Sequence, residues 1–421
     1  MHIPLLSQKA LFSFYDRIVK HMMITLATGE QIPYAPGESL LQSLKKQGVY
    51  LTASCGGKGI CGKCRLKIVE GKTRTESIGK LDPGDVKKGI VLACQTFPEE
   101  DIRIEIPKES RLVVGDAIEI SRSGDLHELF QSLNCSISPL LQKISLDIEP
   151  PSLRNNISDF ERFRKALEEK PSKNIYFPHN FFSGFANALR QSEWKIDFHY
   201  SEDGRAAFVT PSKSASQIGI AVDIGTTTVV LYLVNIDTGS LVDVSSTYNS
   251  QIRFGDDVIT RIIYATEGGG LSELQDAIVE DINNLITPLI EKHSLSSEQI
   301  HSAVLSGNTT MMHLLWGLNP EHLREEPYTP TLNAFPIWDA KTARFHANPR
   351  APVYTVPCVA SYIGGDIVAG VLASDMHRHR AVSLFMDIGT NGEIVIGNNE
   401  WLSQQHARQA PVLRAAELNM A

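Results

Sequence analysis

No apolar run in the 421 residues approaches the roughly 20 that a membrane-spanning helix needs. A secretory signal is missing too. Met1 to Lys20 interleaves Leu5, Leu6, Leu11 and Phe12 with Lys9, Asp16 and Arg17, without a continuous apolar centre or a small-residue cleavage site. A soluble, cytoplasmic protein is the expectation, with no membrane role. Met22 and Met23 directly precede the first strand-like segment, so they are alternative starts to Met1. An excess of basic charge is also lacking: 40 Lys and Arg stand against 48 Asp and Glu, a net charge of −8. That balance disfavours nucleic acid as a partner. No Walker A sequence occurs, and no flavin or nicotinamide fingerprint precedes or follows the cysteine-rich segment, so a P-loop enzyme and a self-contained reductase are disfavoured. What remains has ordinary globular composition, 42% hydrophobic and 21% charged, at a length that suits two to four domains.

Cysteine is scarce but unevenly placed. Of six, Cys55, Cys61 and Cys64 crowd ten residues, Cys94 follows, and Cys135 and Cys358 stand apart. Crowding of this kind in a cytosolic chain argues for metal or cluster ligation over disulfides. Gly56, Gly57, Gly59 and Gly62 lie among the first three cysteines and let the backbone curl with its N–H groups turned toward a bound sulfide. Around them, Met23 to Thr28 and Gln31 to Tyr34 read as a hairpin, Glu38 to Gln47 as a helix, and Arg65 to Val69 and Asp101 to Ile106 as strands. This order and these residues resemble the plant-type [2Fe–2S] ferredoxins, a β-grasp fold, although the spacing here is C-x₅-C-x₂-C, one residue longer than their usual pattern. A zinc site and unpaired structural thiols are the alternatives, and zinc knuckles prefer two CxxC pairs where this chain has one. Cys135 and Cys358 read as buried structural thiols, and His377 and His379, between charged neighbours, as a solvated helix end.

Residues 109 to 215 carry few chemical signals: helix-like stretches at Leu126 to Leu133 and Asp159 to Glu169, breaks at Pro150-Pro151 and Pro171, and a Ser-rich linker at 212–216. Then Ile218 to Thr228 runs as a buried strand into Asp223-Ile224-Gly225-Thr226-Thr227-Thr228, with Val229 to Val234 as the returning strand. A glycine after the aspartate allows a tight turn, the hydroxyls can donate to phosphate oxygens, and Asp223 is placed to hold magnesium through water. A hairpin capped by Asx and Ser/Thr turns explains the same text without a ligand. The pattern returns about 160 residues later in Leu384 to Ile394, as Asp387-Ile388-Gly389-Thr390-Asn391-Gly392-Glu393. Between them, Ser306-Gly307-Asn308-Thr309-Thr310 ends a strand and opens a helix, and Ala360 to Asp366 leads into another at Ile367 to Ala373, both suited to anions.

The duplicated Asp-Ile-Gly-Thr hairpins resemble the two phosphate motifs of the acetate kinase, sugar kinase, Hsp70 and actin superfamily. A ferredoxin-type segment, a connecting region and an actin-like ATPase segment, in that order, resemble the reductive activators of corrinoid proteins across essentially residues 23 to 400. Gln251 to Val258, Ser306 to Met311 and Asp387 to Glu393 carry that likeness. The fold it implies is an α+β and α/β multidomain chain: an N-terminal extension (1–22), a β-grasp [2Fe–2S] domain (23–108), a linker or middle domain (109–215) and a ribonuclease-H-like, actin-like ATPase domain (216–421).

The activity implied is ATP-dependent conversion of cob(II)alamin to cob(I)alamin by one electron passed through the cluster. Its partners would be a corrinoid protein or cobalamin-dependent methyltransferase and an electron donor, with a homodimer a possible assembly. Cys55, Cys61, Cys64 and Cys94 would ligate the cluster. Asp223, Gly225, Thr226 and Thr227 would form one phosphate clamp and Asp387, Gly389, Thr390 and Gly392 the other, with Gly307, Asn308 and Thr309 also contacting nucleotide and Asp223 and Asp387 organising Mg²⁺ and the attacking water. Lys58, Lys63, Arg65 and Lys67 flank the cysteines and would steer an acidic partner, or serve as an ordinary charged loop.

The family continues well past its second Asp-Ile-Gly-Thr motif, whereas this chain stops at Ala421, and Trp401 to Ala421 shows no clear strand. A fragment or a frameshift is the expectation, leaving the second hairpin with an unpaired edge and exposed apolar surface, and nucleotide binding impaired. The rival functions are a plain ferredoxin-type electron carrier with an ATPase remnant, a small-molecule kinase and a noncatalytic interaction protein. A kinase needs a substrate pocket and a base, and neither is legible.

Overall fold

Alternation of apolar residues builds the first sheet. In β1 (Met22–Leu26) Ile24 and Leu26 are buried, and in β2 (Gln31–Tyr34) Ile32 and Tyr34 are, so a two-residue period turns one face inward. The computed structural model describes residues 22–47, 49, 51, 57, 59, 62–107, 110, 139–170, 174–212, 217–267, 269–388 and 392–407. Helix α1 (Leu40–Lys46) starts where Ser39 and Gln42 form a capping box, and it lays Leu40, Leu41 and Leu44 on the core. Strands β3 (Arg65–Glu70), β4 (Thr73–Thr75), β5 (Ile90–Leu92), β6 (Thr96–Pro98) and β7 (Ile102–Glu105) follow, with α2 (Pro83–Lys87) before β5. The main sheet runs β2-β1-β7-β3-β5 with β1 and β7 parallel and the other pairs antiparallel, a β-grasp arrangement. Among the described residues, those up to 110, with 255–257, form one compact unit and the remainder a second.

The second unit contains a small layer that the sequence pattern only half announced. Ser158 and Glu161 close a capping box on α3 (Asp159–Glu168), the expected helix. Strands β8 (Leu141–Asp147), β9 (Lys195–Ser201) and β10 (Ala206–Pro211) form an antiparallel sheet ordered β10-β9-β8, and α4 (Phe185–Gln191) packs beside it. Phenylalanine fills the space between helix and sheet: Phe163, Phe181 and Phe198 are almost fully buried, and Phe163 meets Phe198 edge-to-face at 5.1 Å. The stretch Leu126 to Leu133 and Cys135 lie outside the described residues.

The larger sheet of this unit is ordered β13-β12-β11-β14-β16-β15. Its strands are β11 (Ile218–Ile224), β12 (Thr228–Asn235), β13 (Ser240–Tyr248), β14 (Ile300–Gly307), β15 (Trp338–Asp339) and β16 (Pro352–Thr355). The first three are antiparallel, while β14 and β16 run parallel to β11. Between β13 and β14 come α5 (Val258–Thr266) and α6 (Gly270–Lys292). The latter buries Leu274, Ile278, Ile282, Leu285 and Leu289, the three-and-four spacing of a helix face against the sheet. Further on are α7 (Thr309–Leu315), α8 (Ala340–Ala343) and α9 (Gly365–Ala373).

A second sheet, β17 (Ser383–Ile388), β18 (Gly392–Gly397) and β19 (Leu402–Ala407), is antiparallel in that order. Here the expectation of no clear strand after Trp401 is corrected, since β19 pairs β18 along its whole length. Ser403, Gln404 and Gln405 show no apolar alternation, so main-chain hydrogen bonding holds what side-chain pattern does not reveal. The apolar surface was expected and is present: Leu384, Met386, Ile396 and Leu402 are exposed, while Val395 on the other face is buried with Ile367 and Met376. Residues 408–421 lie outside the described ones.

Burial ranks the phenylalanine cluster. Phe163→Ala should cost about 3–5 kcal/mol in a denaturant melt. Leu153→Ser, at a fully exposed loop tip of the same layer, should stay within about 0.5 kcal/mol. Equal losses would contradict the assignment of that layer's core.

Candidate functional site

Each unit carries one candidate site. In the first, β3 begins directly after Cys64, and a short 3₁₀ turn (Ala93–Gln95) after β5 carries Cys94. The Ala93 N–H donates to the Cys64 carbonyl at 2.8 Å, tying the two segments together. Both thiols are buried and their sulfurs are 3.4 Å apart, far beyond a disulfide bond and close enough to share one metal centre. The hydrogen bond from Cys64 is the main cause of a Cys94 pKa lowered to about 6, with Gln95 adding to it against burial. A thiol so biased toward thiolate is the form that binds metal.

The loop is held in left-handed backbone: Gly57, Gly59 and Gly62 have φ of +84°, +73° and +72°. Gln95 Nε2 donates to the Gly57 carbonyl at 2.8 Å, and at Gly79 a Cβ would lie 2.1 Å from the Gly59 carbonyl, so the cage admits no larger residue there. Cys55, Cys61 and Lys58 lie outside the described residues. Of the flanking cations, Arg65 pairs with Asp85 at 3.2 Å and Lys67 with Glu105 at 3.5 Å, while Lys63 is exposed. Exposed pairs of this type contribute little to stability but partly neutralise the field that Arg65 and Lys67 were expected to supply.

In the second unit, the paired strands β11 and β14 end side by side at Ile224 and Gly307. The turn after β11 is tight: the Gly225 N–H donates to the Thr228 carbonyl at 2.9 Å. Thr226 is buried, and its hydroxyl accepts from Asn308 Nδ2 at 3.1 Å. Asn308 also caps α7 by accepting from the Met311 N–H at 3.0 Å. Thr309 is fully buried and its hydroxyl donates to the Ala360 carbonyl at 2.6 Å, so that hydroxyl is committed to the fold. A Cβ on Gly364 would lie 2.4 Å from Asn308 Cα and 2.5 Å from an Asp366 oxygen, which is how the two loops approach so closely.

Carboxylates from four elements converge there. Asp223 comes from β11, Asp366 from the first turn of α9, Asp387 from β17 and Glu393 from β18. Asp387 and Glu393 face each other across the β17–β18 ladder, and their oxygens and those of Asp366 all lie within 4.8 Å of one another. Like charges directly opposite on a sheet are destabilising unless a cation or proton relieves them. Burial first, then the neighbouring acids, push Asp223 up to about 7 and Glu393 up to about 8. Burial is also the largest cause for Asp366, raised to about 6, and it raises Asp387. Asp223 is nonetheless reached by solvent, at the end of β11. Oxygen ligands so close together suit a hard divalent cation.

Asp387 lies in the close group with Asp366 and Glu393, and Asp223 is near enough to feel the charge of Asp366 and Asp387. Gly389 and Thr390 lie outside the described residues, and Gly392 opens β18. Asp366 and Glu393 were not singled out as ligands. Their signals were present, an acid in the first turn of a helix opened by two glycines and an acid six residues past Asp387, but without the fold nothing brings them together. Cys358 is buried and burial raises its pKa, in keeping with a structural thiol. His379 is exposed beside Asp375 at 3.2 Å.

Comparisons with known proteins agree on the parts. Residues 24–99 match the 2Fe-2S iron-sulfur cluster binding domain, 131–212 the RACo linker region and 218–379 the RACo middle region. The chain is 30% identical over 382 residues to the corrinoid activation enzyme RamQ of Eubacterium limosum, covering 89% of this chain and 58% of that protein. A solved structure of a reductive activator for corrinoid, iron-sulfur protein matches with a TM-score of 0.58 and 36% identity, over 91% of this chain and 62% of that one. One component of the Na(+)-translocating NADH-quinone reductase of Klebsiella pneumoniae is 34% identical over 82 residues, 19% of this chain and 20% of that protein. The chain spans about three fifths of the length of the corrinoid-activating relatives it matches. Among the described residues no helix is long and apolar enough to cross a membrane.

The raised carboxyl pKa values carry a sign. Because the fold binds these protons more tightly than the unfolded chain, the stability they contribute is present at low pH. It is lost as pH rises from about 4 through the folded values near 6 to 8. In EDTA, Asp223→Asn should therefore gain stability relative to the parent protein as pH rises from 5 to 8, and millimolar Mg²⁺ should narrow that gap. A difference that is flat with pH would contradict the cluster.

Proposed function

We propose, for a chain that belongs to the reductive activators of corrinoid proteins by its linker and middle regions and carries a 2Fe-2S domain ahead of them, that it couples ATP to the one-electron reduction of a corrinoid partner. The observation that carries this reading is that one chain holds both a glycine-lined cage with paired thiols and a phosphate-type turn beside four clustered carboxylates.

In this reading Cys55, Cys61, Cys64 and Cys94 hold the [2Fe–2S] group, which when bound supplies one-electron transfer. Its loop N–H groups and the exposed Lys63 favour the reduced, more negative state and an acidic partner face. The turn at Gly225, Thr226 and Thr227 and its counterpart at Gly389, Thr390 and Gly392 hold nucleotide phosphates. Asp223 and Asp387, with Asp366 and Glu393, hold Mg²⁺ and orient the attacking water. Asn308 braces the first turn through the Thr226 hydroxyl, and Thr309 anchors Asn308's helix to the neighbouring loop. Cobalt(II) gains one electron from an external donor, and ATP hydrolysis supplies the free energy for that uphill step.

The test is anaerobic. Protein loaded with its cluster, a chemical reductant and a corrinoid protein in the cob(II)alamin form are mixed, and cob(I)alamin absorbance is followed with and without Mg-ATP. ATP should be required, and Asp223→Asn should slow the ATP-dependent rate at least tenfold while leaving the cluster's visible spectrum intact. Equal formation with and without ATP would instead identify an electron carrier of the ferredoxin type.

A further inference from the structure

Behind the turn at 225–227 sits a buried polar group that phosphate contact does not explain. Three successive carbonyls of that turn are held from one side: Gly225 O accepts from Asn249 Nδ2 at 2.8 Å, Thr226 O from Arg261 Nη2 at 2.5 Å and Thr227 O from the Asn249 N–H at 2.9 Å. Asn249 and Arg261 are both fully buried. The guanidinium also reaches Gln251 Oε1 and Met311 Sδ, each at 3.3 Å. Gln251 is itself fixed by donating to the Leu274 carbonyl at 2.8 Å, which ties the group to α6.

A trans peptide is planar, so a carbonyl turned one way sends the N–H of the next residue the other way. With the carbonyls of Gly225, Thr226 and Thr227 all drawn back, the N–H groups of Thr226, Thr227 and Thr228 are directed to the opposite face of the turn. Successive N–H groups turned to one side make an anion-binding concavity. A cation on the carbonyl side also polarises the peptide and makes its N–H a stronger donor. Taking a guanidinium out of water is costly, and an apolar replacement of similar size is often no less stable.

We propose that Arg261 and Asn249 are positioning residues that aim the backbone N–H groups of the 225–228 turn at a phosphate. This deepens the nucleotide reading and rests on it. Neither side chain touches the ligand; both act through the carbonyls they hold.

The test uses the full chain with ¹⁵N-threonine labelling and inorganic pyrophosphate as the probe. In the parent protein the Thr226 and Thr227 amide resonances should shift with millimolar pyrophosphate. Asn249→Asp replaces the donor to Gly225 O by an acceptor of the same shape, and Arg261→Met removes the charge. Each should weaken that titration at least fivefold, while Arg344→Ala, which removes a surface pair with Asp276, should not. Far-UV circular dichroism and a thermal melt select variants that remain folded, and Arg261→Lys, which keeps the charge without the fork, stands in should Arg261→Met fail to fold. Unchanged titration in folded Asn249→Asp and in the Arg261 variant overturns the positioning role. Absence of any amide shift in the parent protein overturns the concavity itself. A normal pyrophosphate response alongside ATP-independent cob(I)alamin formation would sink the functional reading and leave this inference standing.

Discussion

Pairing of β11 on both sides is the constraint on which the larger sheet of this protein depends. The strand is held antiparallel to β12 from Ile218 to Ile224 and parallel to β14 over the same length. Its inward residues, Ile218, Ile220, Val222 and Ile224, are buried, while Asp223 reaches solvent. A slip of one residue would exchange those faces, placing the aspartate in the core and the isoleucines in water. Register therefore sets where the turn begins, where Asp223 sits, and how close Gly307 comes to Ile224 O, only 2.5 Å from the position of a Cβ. Everything at that end of the sheet inherits its position from this one ladder.

The two halves solve opposite electrostatic problems with similar means. At Cys94 the thiolate is favoured, chiefly by the hydrogen bond from Cys64, beside a backbone curled through glycines. Around Asp223, acids are crowded until their charged forms are disfavoured. Each arrangement is uncomfortable without a guest, and the discomfort is informative. A bound metal centre would relieve the first, and a proton or a divalent cation the second. The fold supports both with residues that never meet the guest: Gln95 across the loop to Gly57, and Arg261 and Asn249 behind the phosphate-type turn.

Local signals were legible where a short stretch does its own work. The hairpin and helix before the cysteines, the capping box at Ser158 and the strand entering Asp223 follow from period, caps and turns that lie within a few residues of each other. β8, β9 and β10 went unread although Ile196, Phe198 and Tyr200 alternate strictly with polar residues in β9, because β9 has its partner β8 up to 60 residues away. β19 was missed because glutamines and serine give a strand no hydrophobic signature. The half-neutralised charges at Arg65 and Lys67 were invisible for the same reason, since Asp85 and Glu105 are distant in the chain.

The sequence by itself determined the chemistry on offer: cysteines at cluster spacing, glycines that permit left-handed turns, and two Asp-Ile-Gly-Thr hairpins, all properties of neighbouring residues. Tertiary structure alone decided which groups meet. Asp366 and Glu393 join Asp223 and Asp387 only because α9 and the β17–β18 hairpin are brought to the end of β11, and Arg261 finds the Thr226 carbonyl only because α5 packs beneath that turn. Charge repulsion and hydrogen bonding act over a few ångströms of space, and positions separated by up to 170 residues acquire that proximity solely through the register and packing of the sheet.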